Sequence, residues 1–269
     1  FPLDIRTYAY HLYDGFSWIR GRNTLKIGGE YRAFGENSDF PTNLKPTVTF
    51  FDLMDFADDE VFSVAARVSP TTGHPAGTYR NFRQNEFGIF VQDDWKITRR
   101  LTLNLGLRYD NFGPLTEKNS LLSTLVFPDT NLANAGIVER DPLYERDNNN
   151  FAPRVGFAWD PTGNGAWAIR SGFGIFYSRL WSNFTGNTRF NTPYSLPVTL
   201  SALSGQDASG VYRIPFVGDP AFVRPLDDKN GSTAFRPSLQ AVDPTIRAPY
   251  NMQWTLNIQH RLPADWRAK

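Results

Sequence analysis

The feature that most constrains this chain is strict alternation, sustained over paired stretches of about ten residues each. Leu101, Leu103, Leu105, Leu107 and Tyr109 alternate with Thr102, Asn104, Gly106, Arg108 and Asp110. Successive side chains of a strand point to opposite faces, so the segment reads as a strand with one apolar and one polar face. A soluble sheet shows such a pattern once. Here it recurs in pairs, with a tight turn inside each pair and long polar stretches between pairs. That is the pattern of a membrane-spanning antiparallel β-barrel.

The expected strands run over 6–19 and 24–34, then 86–97 and 101–112, then 154–160 and 167–177, with a seventh over 251–260. Tyr8, Tyr10, Leu12, Phe16 and Trp18 form the apolar stripe of the first, and Leu25, Ile27, Tyr31 and Ala33 that of the second. Asp14 and Gly29 interrupt these stripes, as a bulge or a close neighbour would require. The third strand carries Phe87, Ile89, Val91, Trp95 and Ile97, with Asp93 as the exception. Met252, Trp254, Leu256 and Ile258 mark the seventh, whose partner is expected to begin at Trp266. The tight turns are rich in Gly, Asn, Pro and Arg, as hairpins demand. The stretches 35–85, 113–153 and 178–250 read as long structureless loops, which a compact soluble domain rarely tolerates. In a membrane barrel the short turns are periplasmic and the long loops extracellular.

Tryptophan placement agrees with that orientation. Trp18, Trp95, Trp159, Trp167 and Trp266 each lie within three residues of a tight turn, and the first four share parity with their strand's apolar stripe. Tyr8, Tyr10, Tyr109 and Tyr177 stand toward the opposite ends. Two aromatic girdles bracketing an apolar band are what the lipid interface selects. The bland alternative is aromatics capping the strands of a soluble sheet.

Composition removes other classes. The 28 basic residues almost balance the 27 acidic ones, for a net charge of +1. Nothing in that balance points to a nucleic-acid partner. No apolar run reaches the ~20 residues of a membrane helix. With no cysteine there is no disulfide scaffold and no thiolate metal site. Phe1-Pro2-Leu3-Asp4 has neither a basic nor an apolar leader segment, so no signal peptide is expected at the start of this stretch. Asp265-Trp266-Arg267-Ala268-Lys269 resembles a turn feeding a further strand. The chain reads as an internal piece of a longer protein.

Several constellations invite chemistry and support little of it. Asp93 and Asp94 are adjacent on a strand, so they point to opposite faces and cannot share a reaction centre. Asp94 is expected on the inner face with Gln92 and Lys96. Lys26, Glu30, Arg32, Asn104, Arg108 and Asp110 also fall on inner-face positions. They read as a solvated or plug-packed interior, with a polar path for solute as the functional alternative. Asp58-Asp59-Glu60 and Asp227-Asp228 lie in outer loops without the spacing of a calcium loop. His11, His74 and His260 are isolated, so no zinc site is expected. No nucleophile elbow and no phosphate-cradling glycine pattern appears. Hence no catalytic, cofactor-binding or metal residue is assigned, and no enzymatic activity is expected. The stretch 178–250 contains eight prolines together with Trp181, Phe184, Phe190, Tyr194, Tyr212, Phe216 and Phe222. Ligand capture by these aromatics and simple loop packing are both open readings.

The run Gly88-Ile89-Phe90-Val91-Gln92-Asp93-Asp94-Trp95-Lys96-Ile97, followed by Leu101-Thr102-Leu103-Asn104-Leu105-Gly106-Leu107-Arg108-Tyr109-Asp110, closely resembles the barrel of TonB-dependent outer-membrane receptors. Ala152-Pro153-Arg154-Val155-Gly156-Phe157-Ala158-Trp159-Asp160-Pro161, Arg170-Ser171-Gly172-Phe173-Gly174-Ile175-Phe176-Tyr177 and Pro249-Tyr250-Asn251-Met252-Gln253-Trp254 are similar to the Oar-like branch. The resemblance covers all strands from Glu86 onward and, less clearly, the first pair. It implies a barrel of about 22 strands filled by a plug domain. Residues 1–269 would be a fragment of that barrel, with no plug and no C-terminal strand. It also implies outer-membrane lipid around the barrel and a TonB-type energy-transducing complex as partner. Its cargo would be a small ligand such as a siderophore, oligosaccharide or peptide, taken up from outside. The rival readings are a passive porin or adhesin-type barrel, a secreted carbohydrate-binding β-protein, and an outer-membrane hydrolase.

Overall fold

The computed structural model describes residues 4–40, 45–180, 182–201 and 238–261. Its strands are, in chain order, β1 (Asp4–Arg20), β2 (Asn23–Asp39), β3 (Thr47–Thr49), β4 (Ser63–Val68), β5 (Arg80–Lys96), β6 (Leu101–Phe112), β7 (Thr116–Glu117), β8 (Ser123–Val126), β9 (Gly136–Glu139), β10 (Phe151–Trp159), β11 (Trp167–Tyr177), β12 (Leu196–Ser201) and β13 (Tyr250–His260). Two short α-helices, α1 (Leu53–Ala57) and α2 (Ser182–Gly186), lie in the connections. No helix of the described residues is long and apolar enough to cross a membrane. The expected partner strand at Trp266 lies outside the described residues, as do Trp181, Tyr212, Phe216, Phe222, Asp227 and Asp228.

The main sheet runs in the order β1-β2-β5-β6-β10-β11-β13, with every neighbour antiparallel. These are the seven strands read from alternation, and β1 and β13 are its edges. The fold is all-β, and the sheet is a partial barrel wall rather than a closed barrel. The β1–β2 turn is the tightest: Arg20 pairs with Asn23, and Gly21 sits at φ +60. A two-residue hairpin whose twist matches its strands needs positive φ at its first central position, which glycine takes without strain.

One face carries the apolar stripes into the surroundings. A single row across the sheet joins Leu25, Asp93, Leu105, Val155, Phe173 and Trp254. Trp18, Trp95, Trp159 and Trp167 are all exposed, at 46%, 40%, 44% and 36%. Aromatic and aliphatic groups left this open on a continuous face are what a lipid-facing wall requires.

Three strands are longer than a bilayer needs. β1, β2 and β5 each have 17 residues, against ~9–11 for a tilted membrane strand. The surplus lies at the loop end. There Arg80, Phe82, Gln84 and Glu86 of β5 turn buried side chains inward. The connections that cover them correct the expectation of structureless loops. β12, β4 and β3 form a separate three-stranded sheet, and β8 and β9 a hairpin. Val64, Ala66 and Val68 alternate along β4 and pack with Val61, Leu196 and Val198. A second cluster joins Phe82 of β5 to Leu115, Leu122, Leu143, Tyr144 and Val242. Each buried Val, Leu or Phe of these clusters contributes ~1.5–3 kcal/mol before entropy is counted. The long loops are therefore a packed cap seated on the inner side of the strand extensions.

Candidate functional site

The inner wall of the sheet is built from the polar half of each alternating strand. In one row Lys26, Gln92, Gly106, Arg154, Gly174 and Gln253 are neighbours. In another, Glu30 pairs with Gly88 and Gly88 with Asp110. Lys26, Glu30, Arg32, Asn104, Arg108 and Asp110, expected inside with Gln92, Asp94 and Lys96, stand on this face, and the register brings most of them into two groups.

The upper group is an ion network. His11 Nε2 lies 2.8 Å from Glu30. Glu30 also meets Arg32 at 3.6 Å and pairs with Arg108. Arg108 Nη2 is 2.7 Å from Asp110. Arg32 and Arg179 each approach Glu86 at 3.5 Å. Three carboxylates thus face three guanidinium groups. Glu30 and Arg108 belong to β2 and β6, with β5 between them. The bridge passes over Gly88, where any Cβ would run into the Arg108 guanidinium. A glycine inside a strand marks such a close approach.

The lower group centres on Asp94. Its carboxylate accepts from Lys26 Nζ at 2.9 Å, Asn104 Nδ2 at 2.7 Å and Gln92 Nε2 at 3.2 Å. The cation that pairs with it is Lys26 of the neighbouring strand. Asp93 points to the opposite face, where it accepts from Asn23 Nδ2 at 2.5 Å. The two carboxylates do not converge, so they form no acid–base pair.

Besides a cavity of about 550 Å³ lined by Arg32, Gln84, Glu86 and Arg179, two smaller ones lie along this wall. One of about 300 Å³ has Gly106, Gly156, Gly172 and Gly174 as its floor, with Gln92, Asn104, Gln253 and Thr255 at its sides. The other, about 210 Å³, opens beside the ion network. Arg154, whose guanidinium lies 4.6 Å above the Phe176 ring, borders both. Amides, a hydroxyl and one stacked cation can bind a polar solute by hydrogen bonds, and they hold no reactive nucleophile.

The remaining candidates are dispersed. His260 stacks on Trp167 at 4.1 Å, and the backbone carbonyl of His74 accepts from Ser69. Asp58, Asp59 and Glu60 are exposed at the end of α1, where Asp58 is the C-cap residue. No group of three or more His, Asp or Glu is placed to hold a metal among the described residues. Of the loop aromatics, Phe190 lies 4.5 Å under the Arg67 guanidinium. Tyr194 donates its hydroxyl to the Ser120 carbonyl at 3.2 Å. Both are packing groups, while Phe184 stays exposed.

Sequence reasoning missed Arg80 and Arg189, which are 2% and 3% exposed. Arg80 donates to the carbonyls of Leu121, Gly77, Tyr79 and Arg189 at 2.8–3.3 Å. Arg189 donates to Gly186 and Ser38 and lies over the Phe40 and Phe82 rings. Burial pushes its guanidinium down to about 10. Together they staple the cap to β2 and β5. The one local signal is that Arg80 has inner-face parity at the start of β5.

Two comparisons bear on this wall. The family model described as outer membrane beta barrel domain matches residues 2–269. The TonB-dependent transporter Oar of Myxococcus xanthus is 32% identical over 114 residues, which are 40% of this chain and 9% of that protein. The matched stretch is therefore a small part of the relative's length.

Proposed function

The chain belongs to the outer membrane beta-barrel domain family, and from that premise we propose that it is part of the wall of an energy-coupled receptor importing a small nutrient ligand. Its location is the outer membrane of a Gram-negative-type bacterium. Residues 1–269 would be a fragment of the barrel domain, with a plug and a TonB-type coupling partner contributed by other parts of the system.

The observation that carries the reading is the paired ion network around Glu30 and Arg108. Charges taken out of water are costly unless they are paired, and the pairing of the part-buried Glu30, Glu86 and Asp110 supports a wall that packs against a plug. The likeness to a transporter supports the same choice. The cap seated over the strand extensions supports ligand capture at the outer mouth. The wall carries out no reaction; it binds and guides.

The test uses the intact protein that carries this segment, placed in planar bilayers with potassium chloride. A plugged receptor stays silent and cross-links to the periplasmic domain of the energy-transducing partner. Steady open-channel conductance without that cross-link would establish a passive porin instead.

A further inference from the structure

Five arginines stand at the tight-turn end of the sheet: Arg20, Arg22, Arg99, Arg100 and Arg261. All are exposed, and the ion pairs of the described residues lie elsewhere, on the inner wall, in the cap and at the start of β1. The acid of these described turns is Asp160, and both its oxygens are taken by backbone N–H groups of Thr162, Gly163 and Gly165. Among the described residues the rim therefore sets five guanidinium groups against one carboxylate and is net cationic.

Its geometry ties it to the lipid edge. Arg20 holds its guanidinium 5.6 Å from the ring of Trp18, on the lipid-facing side. Arg22 donates to the Ile97 carbonyl at 2.8 Å and so links the first turn to the second. Arg100 lies across Gly163 of the third turn, and Arg261 approaches Gly165 of that turn. The rim is continuous along the sheet and level with the tryptophan girdle. Guanidinium forks match phosphate oxygens in pairs, and the girdle sits where headgroups begin.

We propose that this arginine rim binds the phosphodiester headgroups of anionic phospholipids in the periplasmic leaflet. Trp18 stacks against the bound lipid, and the arginines of adjacent turns share its phosphate. The stacking of Arg20 on a lipid-facing ring favours a lipid over an acidic periplasmic protein. The site does not depend on energy coupling.

The experiment takes the intact protein in mild detergent and exposes it to phosphatidylglycerol or phosphatidylcholine of identical chains. Retained lipid is then counted by native mass spectrometry. The wild type should keep the anionic lipid several-fold over the zwitterionic one. The variant R20Q/R22Q/R99Q/R100Q should lose that preference while keeping its heat-modifiable migration. An unchanged preference in the variant, no preference in the wild type, or full displacement by excess inorganic phosphate would overturn the proposal. Should the variant misfold, the wild type alone decides. Its preference should collapse at about 1 M salt, where screening acts over ~3 Å, and persistence there counts against the site.

Discussion

Glu30 of β2 and Arg108 of β6 pair across the intervening strand, over the bare backbone of Gly88. One strand, β5, separates these residues in hydrogen-bonding order, yet their side chains meet because the residue between them has none. The contact ties three adjacent strands together on the inner face.

Gly88→Val should break this arrangement. The new side chain displaces Arg108 and leaves Glu30 short of a partner. Overpacking of this kind costs about 1–3 kcal/mol. A lower unfolding temperature in detergent, against an unchanged one for a surface substitution such as Thr98→Ser, is the expected readout.

The pairing itself is measurable by a double-mutant cycle of Glu30→Gln and Arg108→Gln. Both side chains are about one-fifth exposed, so screening is incomplete and coupling of about 0.5–3 kcal/mol is expected. Additive single effects in urea unfolding would mean the contact contributes nothing.

The strands of this wall were legible because alternation is local. The expected 101–112 and 167–177 coincide with β6 and β11. The long first strand was legible nearly to its start, but the loop-end extensions of β2 and β5, past the expected 24–34 and 86–97, were not. There the alternation changes meaning: Phe82 and Arg80 are buried against loop residues far away in sequence. The same non-locality hid the inner cavities, whose floor glycines come from three strands.

Phe82→Ala should loosen the cap while sparing the wall. Phe82 is 1% exposed at the junction of β5 and the loops, and truncating a buried Phe costs about 3–5 kcal/mol. Limited proteolysis should cut the loops faster, with strand content by circular dichroism unchanged. A uniform loss of both would mean that cap and wall unfold together.

Acid should loosen the β10–β11 turn. The backbone amides of Gly165 and Gly163 and the Thr162 hydroxyl hold the Asp160 carboxyl below the usual aspartate range. A depressed carboxylate contributes stability above its unfolded value, about 3.9. That contribution is lost as pH falls through the lower folded value. Amide exchange at Gly163 and Gly165, compared at matched intrinsic rates, should stay slow at neutral pH and quicken only below about pH 4. In Asp160→Asn the acid step should vanish.

What the sequence by itself determined is the two-faced character of seven strands, the tight turns and the tryptophan level, because each is a property of neighbours along the chain. The tertiary structure alone decided which charges pair across strands, that Gly88 leaves room for Arg108, and that the loops fold into a cap pinned by Arg80 and Arg189. Register and packing set those contacts, and both depend on residues that approach one another only after the sheet has formed.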